Sequence, residues 1–556
     1  MKLVIVGGVA GGASAAARAR RVNESAEIIL FERGEHISFA NCGLPYYIGE
    51  EIEERDSLLV STPRAMSERF NIDVRVNSEV VDIDSRGKTV EVRPENGEVY
   101  RESYDKLILA PGARPVKPPL PGIDLDTIFT LRNIPDMDRI IACIRECQAQ
   151  SAAIVGGGFI GLEMAENLCR KGVKVTVVEM IDQVMAPFDA DMAAYIHNHL
   201  RDKGVRLILE EAVESFEKRE GKTIVKTAKG TEIETDMVIL SIGVKPETDL
   251  AKKAGIELGQ TGGILTGPDM RTSDPDIYAV GDAVEVEDFV SGAKTLLPLA
   301  GPANKQGRIA ADNVMGKKDE FAGVQGTSVV KVFELTAACT GNNEKNLQTR
   351  GIHYLTSYTH SFSHASYYPG AQRMAIKLLF SPDNGEILGA QLVGRKGVDK
   401  RADVLATALR AGMTVYDLEE IDLGYAPPYG SAKDPVNIAG YVASNILKGD
   451  MEVVMWHEVE NLDPAEYTVL DVRGKEEIEE HGKIENALHI PINDLRSRLP
   501  ELEKDKTYVN YCAIGLRSYI AYRILVQNGF KALNISGGYA SYLEPVRDQK
   551  ARGNRQ

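Results

Sequence analysis

Two cysteines stand where sulfur chemistry is possible. Cys42 lies in Ser38-Phe39-Ala40-Asn41-Cys42-Gly43-Leu44-Pro45, and the next cysteine is Cys143. A thiol with no neighbour to pair with cycles as a sulfenic acid or as a mixed disulfide with its substrate. A helix starting after Gly43 is expected to lower its pKa. Cys512 ends the apolar run Tyr508-Val509-Asn510-Tyr511 and opens Cys512-Ala513-Ile514-Gly515-Leu516-Arg517-Ser518, which leads into a helix. A cysteine at a strand end above a helix N-terminus sits in a cup of backbone N–H groups, which stabilises a thiolate or persulfide anion. Arg517 closes that loop and can bind an oxyanion or orient the loop. Cys143 and Cys147, one helical turn apart, read as small buried hydrophobes.

Elements must position these thiols. Lys2 to Val6, the turn Gly7 to Gly12, an Ala-rich helix to Arg21 and the strand Glu27 to Phe31 ending at Glu32 form a βαβ unit. Ala152 to Val155, Gly156-x-Gly158-x-x-Gly161, a helix to Lys171 and the strand Val173 to Val178 ending at Glu179 form another. The second turn matches the dinucleotide fingerprint, with tight turn, backbone approach to a pyrophosphate and helix–strand packing at its three glycines. The pyrophosphate is then held at a helix N-terminus. Glu179 would accept from ribose hydroxyls and repel a 2′-phosphate, which favours NADH over NADPH. The first turn has Val9 at the middle glycine position, but its place before a helix and Glu32 still mark a nucleotide site.

The net charge of −16 argues against nucleic acid or anionic membranes as partners. No run approaches the ~20 apolar residues of a membrane span. The N-terminus lacks a signal-peptide pattern, so a reducing cytoplasm is expected. No metal-type ligand spacing occurs. At 556 residues, roughly three or four domains are expected.

Two nucleotide motifs, a late Gly281-Asp282 and a lone Cys42 resemble the single-cysteine pyridine nucleotide-disulfide oxidoreductases. The resemblance extends from residue 1 to about 445 and is nearest to coenzyme A-disulfide reductase. Ala10 stands where oxidase and peroxidase members carry a histidine. It implies FAD at Gly7, Gly8, Gly12, Glu32, Ala110, Gly112, Asp282, Pro298 and Ala300, and NADH at Gly156, Gly158, Gly161, Glu179 and Gly243. It also implies a homodimer in which Tyr367 and Tyr425 point at the partner's redox cysteine, where a phenol can protonate a leaving thiolate. Coenzyme A would meet Arg18, Arg21, Ser38, Asn41, Asn304, Lys305 and Arg308, with Arg20 in the same basic cluster. Residues 460 to 545 resemble the rhodanese family, with a six-residue loop from Cys512 to Arg517. The uncharged Ala513, Ile514 and Leu516 make thiosulfate a doubtful donor.

The expected fold is α/β: two Rossmann-like dinucleotide-binding domains, an α+β dimerisation domain and a C-terminal rhodanese-like α/β domain. The expected boundaries are 1–115 with 245–325 for FAD and 116–244 for NAD. Residues 326–446 are expected to form the dimerisation domain, 447–462 a linker and 463–550 the rhodanese-like domain. As a whole the chain resembles coenzyme A-disulfide reductase–rhodanese fusions. These imply NADH-dependent reduction of disulfide, persulfide or polysulfide sulfur, with coenzyme A as substrate or bound cofactor. Alternative readings are an NADH oxidase or peroxidase with a Cys42 sulfenic acid, and a non-catalytic redox sensor.

Overall fold

Leu3, Val4 and Ile5 are consecutive, apolar and wholly buried. An unbroken apolar run is what a parallel strand covered on both faces requires. In the computed structural model, which describes residues 1–146 and 148–553, Lys2–Val6 is the centre of a five-stranded parallel sheet. Its neighbours are Lys106–Leu109 and Glu27–Phe31, and its edges are Ile277–Ala279 and Asp73–Arg75. A second parallel sheet repeats the plan around Ser151–Val155, flanked by Lys174–Val178 and Met237–Leu240, with edges Arg206–Ile208 and Ile128–Phe129. Both belong to one compact unit, Met1–Ile181 with Val205–Val324.

The other unit joins Asp182–Gly204 to the chain from Gln325 onward. It holds an antiparallel five-stranded sheet, in the order Ser328–Val332, Leu335–Gly341, Ile387–Gly394, Arg373–Phe380 and Leu355–Phe362. It also holds a five-stranded parallel sheet around Thr507–Tyr511, paired with Tyr467–Asp471 and Lys531–Ile535.

Two expected boundaries shift. Helix Ala190–Asp202 lies within the span expected for the NAD domain but belongs to the second unit. Its His197 is wholly buried and its Nδ1 lies 3.0 Å from Asp548 on the C-terminal helix Gly538–Gly553. Arg201 pairs with the same carboxylate at 2.6 Å. The expected linker at 447–462 instead supplies Val453–Val454, which pairs with Lys531–Ile535 as an edge strand of the parallel sheet, and a 3-10 turn at Trp456–Asn461. The two sheets of this unit are stitched together. Ser536 Oγ accepts from the Tyr358 backbone N–H at 3.1 Å, and Ser541 Oγ lies 2.8 Å from His360 Nε2. Among the described residues, no helix is long and apolar enough to cross a membrane. Cys143 is buried; Cys147 lies outside the described residues.

Candidate functional site

The two Gly-rich turns are built alike. Gly7 donates its N–H to Phe31 O, and Gly156 donates to Val178 O, both at 2.8 Å. Glu32 accepts the Gly8 N–H at 2.9 Å, and Glu179 accepts the Gly157 N–H at 2.7 Å. A β-carbon on Gly12 would lie 1.8 Å from Gly7 O, and one on Gly161 2.1 Å from Gly156 O, so only glycine lets each helix start against its strand. Val9 is tolerated at the middle position because its φ is −96°, open to any residue and close to the −78° of Gly158.

A cavity of about 620 Å³ opens over the first turn. Gly7, Gly8, Glu32, Ala110, Gly112 and Asp282 all line it. Burial raises the Asp282 carboxyl, with Arg132 opposing. A long cradle of backbone N–H groups, with a carboxylate at the end of its second strand, fits the pyrophosphate and ribose of FAD; the mirrored turn fits a second dinucleotide. Gly12, Pro298 and Ala300 do not reach the cavity lining; Ala300 starts the helix Ala300–Val314. Gly243 holds a φ of +104° just before strand Val244–Pro246.

Cys42 is exposed on a 3-10 turn, Asn41–Gly43, and its N–H donates to Asn41 Oδ1 at 3.1 Å. The expected helix starts at Leu44, but it has only five residues, Leu44–Ile48. The expected lowering of the thiol does not follow. Although the residue reaches the surface, the protein packed around its thiol desolvates it and raises its pKa, and Glu163 and Asp282 add to the rise. Glu163 is itself pushed up to about 7, first by burial, and accepts from the Tyr46 hydroxyl at 3.2 Å. Glu163 carried no motif in the sequence, and Tyr46, four residues after Cys42, had no role assigned; the packing of helix Phe159–Arg170 against Leu44–Ile48 brings them together.

A second, open cavity of about 420 Å³ gathers five of the seven expected coenzyme A residues, Arg18, Arg21, Ser38, Asn304 and Arg308. Asn41 lines the larger cavity instead, and Lys305 lines neither. Arg18 is partly neutralised by Asp312, with hydrogen bonds of 3.0 and 2.9 Å. Arg20 turns inward to the carbonyls of Phe70 and Asn71, so it leaves the basic cluster. Arg69, on helix Pro63–Phe70, joins the cavity; its sequence distance from Arg21 hid it.

In the second unit, Tyr367 and Tyr425 meet hydroxyl to hydroxyl at 2.7 Å, and both are exposed. Cys512 directly follows strand Thr507–Tyr511 and is wholly buried, with its Sγ 3.2 Å from the Gly515 backbone nitrogen and 3.6 Å from Ser518 Oγ. Gly538 forms the floor of this loop. A β-carbon there would lie 2.6 Å from Cys512 O. Arg517 sends both terminal nitrogens to Glu477, each at 2.6 Å.

The pyridine nucleotide-disulphide oxidoreductase model matches residues 1–307, its dimerisation-domain model residues 327–434 and the rhodanese-like model residues 457–545. The structure of reduced Bacillus anthracis CoADR-RHD is 50% identical, with a TM-score of 0.96 over 98% of both chains. A NAD-dependent persulfide reductase from A. fulgidus is 41% identical, with a TM-score of 0.93 over 98% of this chain and 100% of that one. Among curated proteins, the coenzyme A disulfide reductase of Staphylococcus haemolyticus is 36% identical over 80% of this chain and all of its own length. An NADH oxidase of Methanocaldococcus jannaschii is 35% identical over 79% of this chain and 98% of its own. The chain therefore belongs to the pyridine nucleotide-disulphide oxidoreductases, and is an oxidoreductase that carries a dimerisation domain and a C-terminal rhodanese-like domain.

Proposed function

We propose that this protein is an FAD-dependent NADH reductase of coenzyme A disulfide, coenzyme A persulfide or polysulfide, with Cys42 as redox cysteine and Cys512 as carrier of sulfane sulfur. One observation carries the reading. The cysteine segment runs between two cavities: Phe39 and Asn41 line the nucleotide-shaped one, while Ser38 lines the arginine-rich one. Cys42 lines neither cavity itself, but a thiol on a segment between them can exchange electrons on one side and receive a sulfur substrate with an anionic tail on the other. Arg21, Arg69 and Arg308 suit the phosphates of coenzyme A.

When bound, the flavin and pyridine nucleotide supply the hydride and the electron pair that the sulfur reduction consumes. The Cys42 thiolate attacks the disulfide of coenzyme A, so a Cys42–sulfur bond forms and one coenzyme A thiolate leaves. In a homodimer, Tyr367 and Tyr425 protonate the thiolate that leaves Cys42 of the partner subunit. Tyr367, Tyr368, Tyr425 and Tyr429 are among the exposed tyrosines of this unit and suit a face that a second protomer covers. The reducing cytoplasm would keep both working thiols free.

Mass analysis of thiols released from the purified protein by reductant, with NADH oxidation rates on each sulfur substrate, tests the reading. Absence of turnover with all three overturns it. The similarity to an NADH oxidase supports a second reading, oxygen or peroxide reduction at Cys42. Ala10 supplies no proton donor for it, so NADH-dependent peroxide turnover should be minor.

A further inference from the structure

Within Cys512 to Ser518 the one charged side chain is Arg517, and it is not free. Glu477, on helix Lys475–His481, takes both of its terminal nitrogens in a two-bond fork at 2.6 Å each. That geometry is the strong form of the arginine–carboxylate pair. The pair is about one-third exposed on each side, 35% and 33%. Arg517 holds Glu477 at about 2, and Glu477 in turn raises Arg517, with the Cys512 sulfur a lesser contributor. Arg473, at the neighbouring strand end, is 1% exposed and committed to Asp471 at 2.7 Å and to Gly482 O. The loop and the helix that follows it present exposed apolar side chains instead. Leu516 is 64% exposed, and Ile520, one helical turn on, is 40% exposed.

We infer that Glu477 is a specificity-determining, positioning residue: by neutralising Arg517 it makes Cys512 accept sulfane sulfur from alkyl persulfides with an uncharged arm, and reject thiosulfate. This rests on the reading of Cys512 as a sulfur carrier and names its donor class. With a persulfide R–S–SH, the Cys512 thiolate attacks the terminal sulfur. The Cys512–S bond forms, the S–S bond of the persulfide breaks, and the electron pair leaves on R–S⁻, which takes a proton from water. The terminal sulfur keeps its hydrogen, and no external oxidant or reductant is needed. With thiosulfate the same attack must expel the sulfite dianion. That leaving group needs a free cation, which the fork with Glu477 withholds. The pantetheine-type arm of a persulfide, uncharged near its sulfur, suits Leu516 and Ile520.

The test uses the full-length protein and its Glu477→Gln variant. This substitution keeps the size of the side chain and an oxygen for the Gly474 N–H, which Glu477 accepts at 3.0 Å. Sulfur transfer to cyanide is measured with thiosulfate and with a low-molecular-weight alkyl persulfide. The ratio of thiosulfate to persulfide kcat/KM is expected to rise roughly tenfold or more, through a lower KM for thiosulfate, as expected from one freed charge-assisted contact. Adding Arg517→Gln should erase the gain. An unchanged ratio, or a gain that survives loss of Arg517, overturns the inference. If Glu477→Gln does not fold, Ile514→Arg in the parent chain supplies an unpaired cation and must raise the same ratio; failure to do so also overturns it. Mass analysis of the parent chain separates the two levels. Persulfide on Cys512 without a ratio shift defeats the role of Glu477 alone, whereas no persulfide on Cys512 defeats the carrier reading and this inference with it.

Discussion

The hydroxyls of Tyr367 and Tyr425, 58 residues apart in the chain, form a 2.7 Å hydrogen bond on an exposed face. The bond raises the Tyr367 pKa, so this phenol keeps its proton above the ordinary phenol range near ~10. Removing the Tyr425 hydroxyl should return Tyr367 towards that ordinary value. Tyr425→Phe is thus expected to move the alkaline limb of kcat with coenzyme A disulfide to lower pH. The double Phe variant should lose roughly 10²-fold or more, the usual worth of a positioned general acid. Steady-state pH profiles check both, and NADH should still reduce the bound flavin in rapid-mixing experiments.

Glu163 and Cys42 form a second testable pair. A carboxylate at Glu163 disfavours the thiolate, so Glu163→Gln should lower the Cys42 pKa. The rate of Cys42 alkylation by iodoacetamide should then reach its plateau at lower pH than in the parent protein. An unmoved profile would mean that burial and Asp282, not Glu163, set this thiol.

Cys42→Ser is expected to keep FAD and its slow reaction with NADH while losing reduction of every sulfur substrate, because a hydroxyl is a far poorer nucleophile than a thiolate. Cys512→Ser should do the reverse. It should spare NADH-dependent reduction of free coenzyme A disulfide and abolish sulfur transfer to cyanide. Parallel assays of both variants separate the two sites.

For the nucleotide, kcat/KM should favour NADH by at least ~1–3 kcal/mol, the penalty of a phosphate beside a carboxylate. Glu179 fixes the Gly157 and Ile181 N–H groups at 2.7 and 3.1 Å, so its charge is held in place. Glu179→Ala should narrow the preference, read from both coenzymes in one assay. It should also weaken NADH binding, since the turn loses its anchor.

Asp548 should matter for stability. His197, Arg201 and Arg552 surround it, and they offset its burial so that its pKa is depressed. A depressed carboxyl stabilises fully above its unfolded value near ~3.9 and loses that contribution as pH falls through its folded value. His197 is also depressed, first by burial, and its Nε2 accepts the Val184 N–H at 3.0 Å. Protonation therefore opposes folding as pH drops below ~6.5, the ordinary histidine value. Asp548→Asn is expected to cost about 3 kcal/mol at pH 7, as when a buried pair loses one partner. Thermal and urea unfolding followed by circular dichroism measure it.

The nucleotide turns and the loop that opens at Cys512 were legible because glycine spacing and a cysteine at a strand end are local signals. Val9 shows the limit of such a fingerprint: its negative φ needs no glycine, so the departure carries no structural cost. Long-range partners left no trace. Arg69 completes a cavity begun by Arg21, Glu163 lies beside Cys42, and Glu477 captures Arg517 from 40 residues away. Helix Ala190–Asp202 misled for a related reason. Its position after a nucleotide strand suggested one domain, but its buried His197 answers to Asp548, near the far end of the chain.

The Ser536 and Ser541 contacts to strand Leu355–Phe362 make the C-terminal domain a poor candidate for exchange. Ser536 to Ser541 spans the loop floor at Gly538, and the same few residues hold Tyr358 and His360 of the antiparallel sheet. A chain cut at residue 446 would bare those contacts, together with the wholly buried face of His197. A foreign rhodanese-like domain spliced on at that point would have to match them as well as carry its own cysteine loop. Interchangeable beads on a string melt one after another; residues tied in this way should unfold in a single transition.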